Sequence, residues 1–310
     1  MAKLRIILHG KAAGNAGVRA AVHQLRQEGH AAEVRVTWEP GDAARMTADA
    51  VAAAGEGKID CIVAGGGDST INEVFGAAYK AGLPPECSLG VLPLGTANDF
   101  AHAAGVPVAN LTAALQLAAR GPPHRIDVGL LDGKPFVNLA SGGFGSRVTV
   151  ETDPELKRRL GGLAYVLTGI SRFAELSASR GRFRAEGFSW EGPFVAVAIG
   201  NGRQAGGGVQ LCPDALIDDG LLDLMILPEL DHAARLEAFS HLLREGAAGI
   251  RAQQVTARSS WFEFESDADL NVNLDGEPAL TKHFRVECRR RVLPVHLSDT
   301  PLVSDDQKRG

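Results

Sequence analysis

Short apolar runs and the polar stretches between them divide the chain into two halves with different periodicity. Up to about residue 130, runs at 4–8, 34–38, 59–64 and 89–92 alternate with alanine-rich stretches whose apolar positions recur at helical spacing. Consecutive βα units explain that alternation, so a doubly wound parallel sheet is predicted. From Phe136 onward strand-like segments dominate, at 136–140, 194–200, 221–227, 261–265, 270–274 and 284–287. Several alternate apolar with polar, as half-buried antiparallel strands do. Helical patterning returns around 155–176 and 231–245. The predicted fold is α/β plus β-rich: an N-terminal doubly wound domain and a C-terminal antiparallel, β-sandwich-like domain interrupted by helices.

Composition narrows the class. At 310 residues the chain is long enough for two cores, and 45% apolar with 22% charged residues is ordinary globular usage. The 32 basic against 37 acidic residues give a net charge of −5, which disfavours a general nucleic-acid binder. Cys61, Cys87, Cys212 and Cys288 are scattered without a Cys-x-x-Cys pair, so neither a zinc site nor a disulfide framework is suggested. The opening apolar run is too short for a signal peptide, and no apolar stretch reaches about 18 residues, so a cytoplasmic location is expected.

Chemistry enters at two glycine loops. Cys61-Ile-Val-Ala-Gly-Gly-Gly-Asp-Ser-Thr-Ile-Asn-Glu-Val74 runs from a buried strand through three glycines into residues that can open a helix. Glycines let a ligand approach the backbone amides, and a helix N-terminus favours an anion, so a phosphate is the natural guest. Asp68 stands where it could hold a cation or accept a proton, and Thr70 where it could donate to a phosphate oxygen or cap the helix. Ser88 to Phe100 repeats the strand-to-loop crossing through Gly95 and Thr96. The spacing is not that of a P-loop, and no protein-kinase motif set accompanies His124-Arg125-Ile126-Asp127.

Gly66-Gly-Asp-Ser-Thr-Ile-Asn-Glu73 together with Pro93-Leu-Gly-Thr-Ala-Asn-Asp-Phe100 resembles the diacylglycerol kinase catalytic family. Gly200-Asn-Gly-Arg-Gln-Ala-Gly-Gly-Gly208, Pro213-Asp-Ala-Leu-Ile-Asp-Asp-Gly220 and Asn273-Leu-Asp-Gly-Glu-Pro278 narrow the resemblance to YegS-type bacterial lipid kinases. Five motifs occur in the family's order over nearly the whole chain. The resemblance implies a nucleotide-binding domain over 1–132, a β-rich lipid-binding domain over 133–288, and a segment 289–310 that returns to the first. It also implies ATP as donor, a lipid alcohol such as diacylglycerol as acceptor, Mg²⁺, and transient contact with a membrane surface.

Residue by residue, the resemblance places Thr37, Gly66, Gly67, Asp68, Ser69, Thr70, Ile71, Asn72, Glu73 and Thr96 around the nucleotide. Each has a plainer reading, Thr37 as a strand residue and Asn72 and Glu73 as a helix's first turn. Asp127 is implied to help organise Mg²⁺. Glu277, after the Asp275-Gly276 turn, is implied to be the general base on the lipid hydroxyl; alone it would read as a solvated hairpin tip. Leu216 and Leu221 through main-chain oxygens, with Asp219, are implied to hold a separate Mg²⁺ or Ca²⁺.

The chain departs from the family at Ser69, where the usual residue is glycine. If that position needs positive φ, serine carries strain of order 1 kcal/mol. An NAD kinase, which shares the glycine-loop elements, and a catalytically impaired lipid or nucleotide sensor are the alternative readings. Gly200-Asn-Gly-Arg-Gln-Ala205 mimics a dinucleotide fingerprint, but three glycines follow where a helix is required. Lys157, Arg158, Arg159, Arg172, Arg180, Arg182 and Arg184, interleaved with apolar residues, form either a membrane-facing basic surface or a solvated helix.

Overall fold

The computed structural model describes residues 1–143, 178–205, 207–229, 253–274 and 277–304, with backbone alone at 277–279. The first half contains strands β1 (Lys3–Leu8), β2 (Ala31–Val36), β3 (Cys61–Gly66) and β4 (Ser88–Pro93). Between and after them run helices α1 (Ala16–Gln27), α2 (Asp42–Gly55), α3 (Asp68–Ala81), α4 (Asp99–Ala103) and α5 (Leu111–Arg120). The four strands are parallel in the order β2-β1-β3-β4. All residues of β3 and β4 are buried, which is why these strands read as unbroken apolar runs.

Local chemistry sets the helix limits. Asn15 caps α1 by accepting from the Gly17 and Val18 amides, and Val18, Ala21, Val22 and Leu25 form its buried stripe. Gly82, at φ +72°, ends α3 in the left-handed conformation. β2 stops at Val36, although the alternating pattern runs on to Trp38. Asp42 takes the Trp38 and Glu39 amides at 2.7 and 3.2 Å and turns the backbone out of the ladder.

The second half is built from β5 (Pro123–Leu131), β6 (Lys134–Phe136), β7 (Leu139–Gly143), β8 (Ser179–Ala185) and β9 (Phe188–Gly200). There follow β10 (Gln204–Ala205), β11 (Val209–Gln210), β12 (Leu222–Pro228), β13 (Val255–Ser259), β14 (Trp261–Leu274) and β15 (Glu277–His296). β9 and β14 each pair with β7 over one part and β8 over another, so these four antiparallel strands form a closed path. Inside lie Phe183, Phe194, Phe262, Phe264 and Phe284, with Phe183 and Phe264 centroids 4.8 Å apart. The runs at 261–265 and 270–274 are one strand, β14, whose register with β15 shifts between Glu265 and Leu270.

β15 joins the halves. It pairs with β14 from Glu277 to Glu287, with β5 from Val286 to His296, and with β4 at Val295. Leu297, Leu302 and Val303 then bury themselves in the core of the parallel sheet. The helices expected around 155–176 and 231–245 lie outside the described residues, as do Lys157, Arg158, Arg159 and Arg172. Arg180, Arg182 and Arg184 sit on β8, where Arg182 pairs with Glu191 and Arg184 with Glu265.

Candidate active site

The parallel strands end at one edge, and in open α/β sheets ligands bind there, where the connections reverse direction across the sheet. Here the reversal falls between β1 and β3. The loop after β1 is held by the His9 amide donating to the Gly65 carbonyl at 2.8 Å. Thr37 stands beside it. Its amide donates to the Leu8 carbonyl at 2.9 Å and its hydroxyl accepts from the Gly10 amide at 3.1 Å. A Cβ on Gly10 would lie 2.5 Å from the Thr37 carbonyl oxygen, so this approach requires glycine.

The two glycine loops touch. A Cβ on Gly95 would come 2.5 Å from the Gly67 Cα, and one on Gly66 would strike the Thr70 side chain. α3 starts at Asp68 with no side-chain cap, leaving its first-turn amides for another acceptor. Asn98, left-handed at φ 51°, closes the second loop by accepting from the Gly95 amide at 2.8 Å and donating to its carbonyl at 2.9 Å. Thr96 is exposed on that loop.

Asp68 ties the loops together. Its carboxylate accepts from the Asp99 and Phe100 amides at 3.1 and 2.9 Å and so caps α4. Burial pushes this carboxyl above the usual carboxylate range; the two amides oppose that shift and the Asp99 charge adds to it. Asp99 reaches on to the other half of the chain, accepting from the Gly207 and Gly208 amides at 3.0 and 2.7 Å, while the Gln204 amide donates to its carbonyl.

Within α3, Thr70, Ile71 and Asn72 are buried, and the Asn72 side-chain oxygen is buried without a hydrogen-bond partner. Glu73 accepts from the Ala44 amide in the first turn of α2 at 3.3 Å. Ser69 is exposed within α3. Positive φ among described non-glycine residues is confined to Asn98, Asp132 and Arg291, so the strain expected of serine at 69 is absent. Ser69 is the second residue of α3, where serine is an ordinary occupant.

Leu216, Asp219 and Leu221 form a separate neighbourhood around Asp127. The buried Asp127 carboxylate accepts from the Gly220 and Arg291 amides, both at 2.6 Å, and burial raises it to about 6. Gly220 is left-handed at φ +82°. Asp219 accepts from the Leu221 amide at 2.9 Å and from the Arg258 guanidinium. Among the described residues, no three or more His, Cys, Asp or Glu side chains converge as a metal centre. Glu277 opens β15 opposite Leu274; the Asp275-Gly276 turn before it lies outside the described residues.

Residues 3–131 match the diacylglycerol kinase catalytic domain, and residues 138–297 the YegS C-terminal NAD kinase beta sandwich-like domain. A Pseudomonas aeruginosa (strain UCBPP-PA14) protein named "Probable lipid kinase YegS-like" is 48% identical over 98% of this chain and 97% of its own. The chain belongs to the YegS-like lipid kinase family. A Xanthomonas euvesicatoria pv. vesicatoria relative of the same name is 47% identical over 96% of this chain and 97% of its own. The crystal structure of a diacylglycerol kinase from Bacillus anthracis str. Sterne shares the fold at TM-score 0.76 and 22% identity, covering 96% of this chain and 97% of that one. As a member of this family the protein is a kinase.

The YegS-like fold thus assembles Thr37, Gly66, Gly67, Asp68, Ser69, Thr70 and Thr96 at one sheet edge and sets Asp219 and its neighbours apart. The sequence reading missed Gly10 and Asp99. A glycine two residues past the first apolar run was a visible signal for Gly10. Asp99 falls within the Pro93–Phe100 motif, but its link to the second half was invisible there, because Gly207 and Gly208 lie more than a hundred residues away.

Proposed function

We propose that this kinase transfers the γ-phosphoryl group of ATP to the hydroxyl of a lipid, diacylglycerol or another glycerolipid alcohol. The observation that carries the reading is the uncapped N-terminus of α3, with Gly67 packed directly on Gly95. Backbone amides of 66–70 and the Thr96 loop bind the phosphates, and Thr37 lies beside the nucleoside. Such transfer depends mainly on positioning and electrostatics. The lipid acceptor is supported by the names of the relatives and by the β-rich second domain that the family shares.

The Asp68 carboxyl fits a divalent cation: burial and the Asp99 charge leave it short of positive compensation, and hard oxygen donors suit Mg²⁺. Mg²⁺, when bound, supplies charge neutralisation on the phosphates. Asp68 would orient it while keeping α4 capped, and Glu277 would take the proton from the lipid hydroxyl. A second cation on the Leu216 and Leu221 carbonyls must compete with Arg258 for Asp219. Mg²⁺ or Ca²⁺ should then raise the melting temperature of the wild type more than that of Asp219→Asn, and an equal rise contradicts this site.

Glu277→Gln tests the catalytic assignment. Turnover should fall by about a hundredfold or more, the scale for a lost general base, with ATP affinity nearly unchanged. Near-normal turnover removes Glu277 from the mechanism.

A further inference from the structure

Trp38 is 93% exposed, while its backbone is held tightly. Its amide donates to Asp42 at 2.7 Å, the Glu39 amide donates to the same oxygen at 3.2 Å, and Arg45 pairs with the other. Asp42 is itself buried, and Gly41 takes φ +87° to begin α2 behind it. Single exposed apolar residues are common and call for no explanation. Trp38 differs in place: it follows Thr37, whose hydroxyl binds the Gly10 amide, at the ligand-binding edge of the sheet. An indole on an anchored backbone can meet a flat ligand at little cost in ordering, since the turn that carries it is already fixed.

We propose that Trp38 is the stacking platform for the purine base of the nucleotide, an inference that rests on the ATP-site reading above. β2 lies two strands from β3, so its end stands roughly 10 Å from the glycine loop by interstrand spacing. That separation matches the reach of a ribose and base whose phosphates sit on Gly66–Thr70. Thr37 then stands between the phosphates and the base, and Trp38 lies at the outer end of the nucleotide. Aromatic stacking recognises the flat face of a base and contributes nothing to a bare polyphosphate.

Calorimetric titration of the full-length protein with Mg-ADP and with Mg-tripolyphosphate tests this, using Trp38→Ala and Trp38→Phe. Trp38→Ala should weaken ADP binding about 5- to 100-fold, the range for losing one base–aromatic stack, and leave tripolyphosphate binding unchanged. Trp38→Phe should keep most of the affinity, and Trp38→Ala should raise the KM for ATP with kcat unchanged. With the indole exposed, both variants should melt with the wild type. Equal ADP binding by wild type and Trp38→Ala overturns the stacking role and leaves the ATP site standing. Parallel loss of both ligands in Trp38→Ala also overturns it. If the wild type binds neither ligand, the ATP-site reading falls, and this inference with it.

Discussion

Asp127 shows how one carboxylate organises a junction and leaves a measurable trace. Its oxygens hold the Gly220 amide and the Arg291 amide, the latter in a left-handed residue where the β5 and β15 register shifts. Burial raises it from 3.8 to about 6, so the folded state holds this proton more tightly than the unfolded chain. Its contribution is therefore full below about pH 4 and is lost as pH rises to about 6, amounting to about 3 kcal/mol at 1.36 kcal/mol per unit. Denaturant unfolding of wild type and Asp127→Asn across pH 4–7 should show the wild type losing stability relative to the variant. A flat difference contradicts the raised value. At this scale the strand-to-helix crossing was legible, because Gly66, Gly67, Asp68 and Thr70 fall in one contiguous stretch whose residue types suit a close backbone turn into a helix N-terminus. The double duty of Asp68 was not, since α4, which it caps, begins 31 residues later.

Among the elements, the apolar runs exposed β3 and β4 because every residue of these strands is buried, and β1 because its last three residues, Ile6, Ile7 and Leu8, are buried in succession. β8 escaped notice because Ser-Arg-Gly-Arg-Phe-Arg-Ala carries three arginines, two of them facing acidic residues on β9 and β14. Its single buried phenylalanine, Phe183, gives no period to read. β14 read as two strands because Ser266, Asp267 and Asp269 interrupt the apolar pattern where the register shifts. The contact between the glycine loops is an element-scale claim with a direct test. Gly95→Ala places a methyl group against the Gly67 backbone, and relieving that overlap typically costs about 1–3 kcal/mol. Forced apart, the loops should bind Mg-ADP at least about tenfold more weakly by calorimetry, as expected for one or more lost charge-assisted hydrogen bonds. Unchanged affinity would contradict joint phosphate binding by both loops.

Over the whole molecule, the two halves are joined by more than chain connectivity. β15 passes from the aromatic core into the parallel sheet, Asp99 holds Gly207 and Gly208, and the Asn201 amide donates to the Asp127 and Val137 carbonyls. The change of period near residue 130 revealed two halves, whereas these links join residues far apart in sequence and left no local pattern. Among the described residues no helix is long and apolar enough to cross a membrane. The most direct measurement is transfer of label from γ-labelled ATP, with Mg²⁺, to a fractionated lipid extract or to NAD in parallel. Labelled phosphate should appear in an organic-extractable lipid with wild type and be nearly absent with Glu277→Gln. Label in NAD alone, or nucleotide binding with no ATP consumed on any lipid fraction, would contradict the assignment.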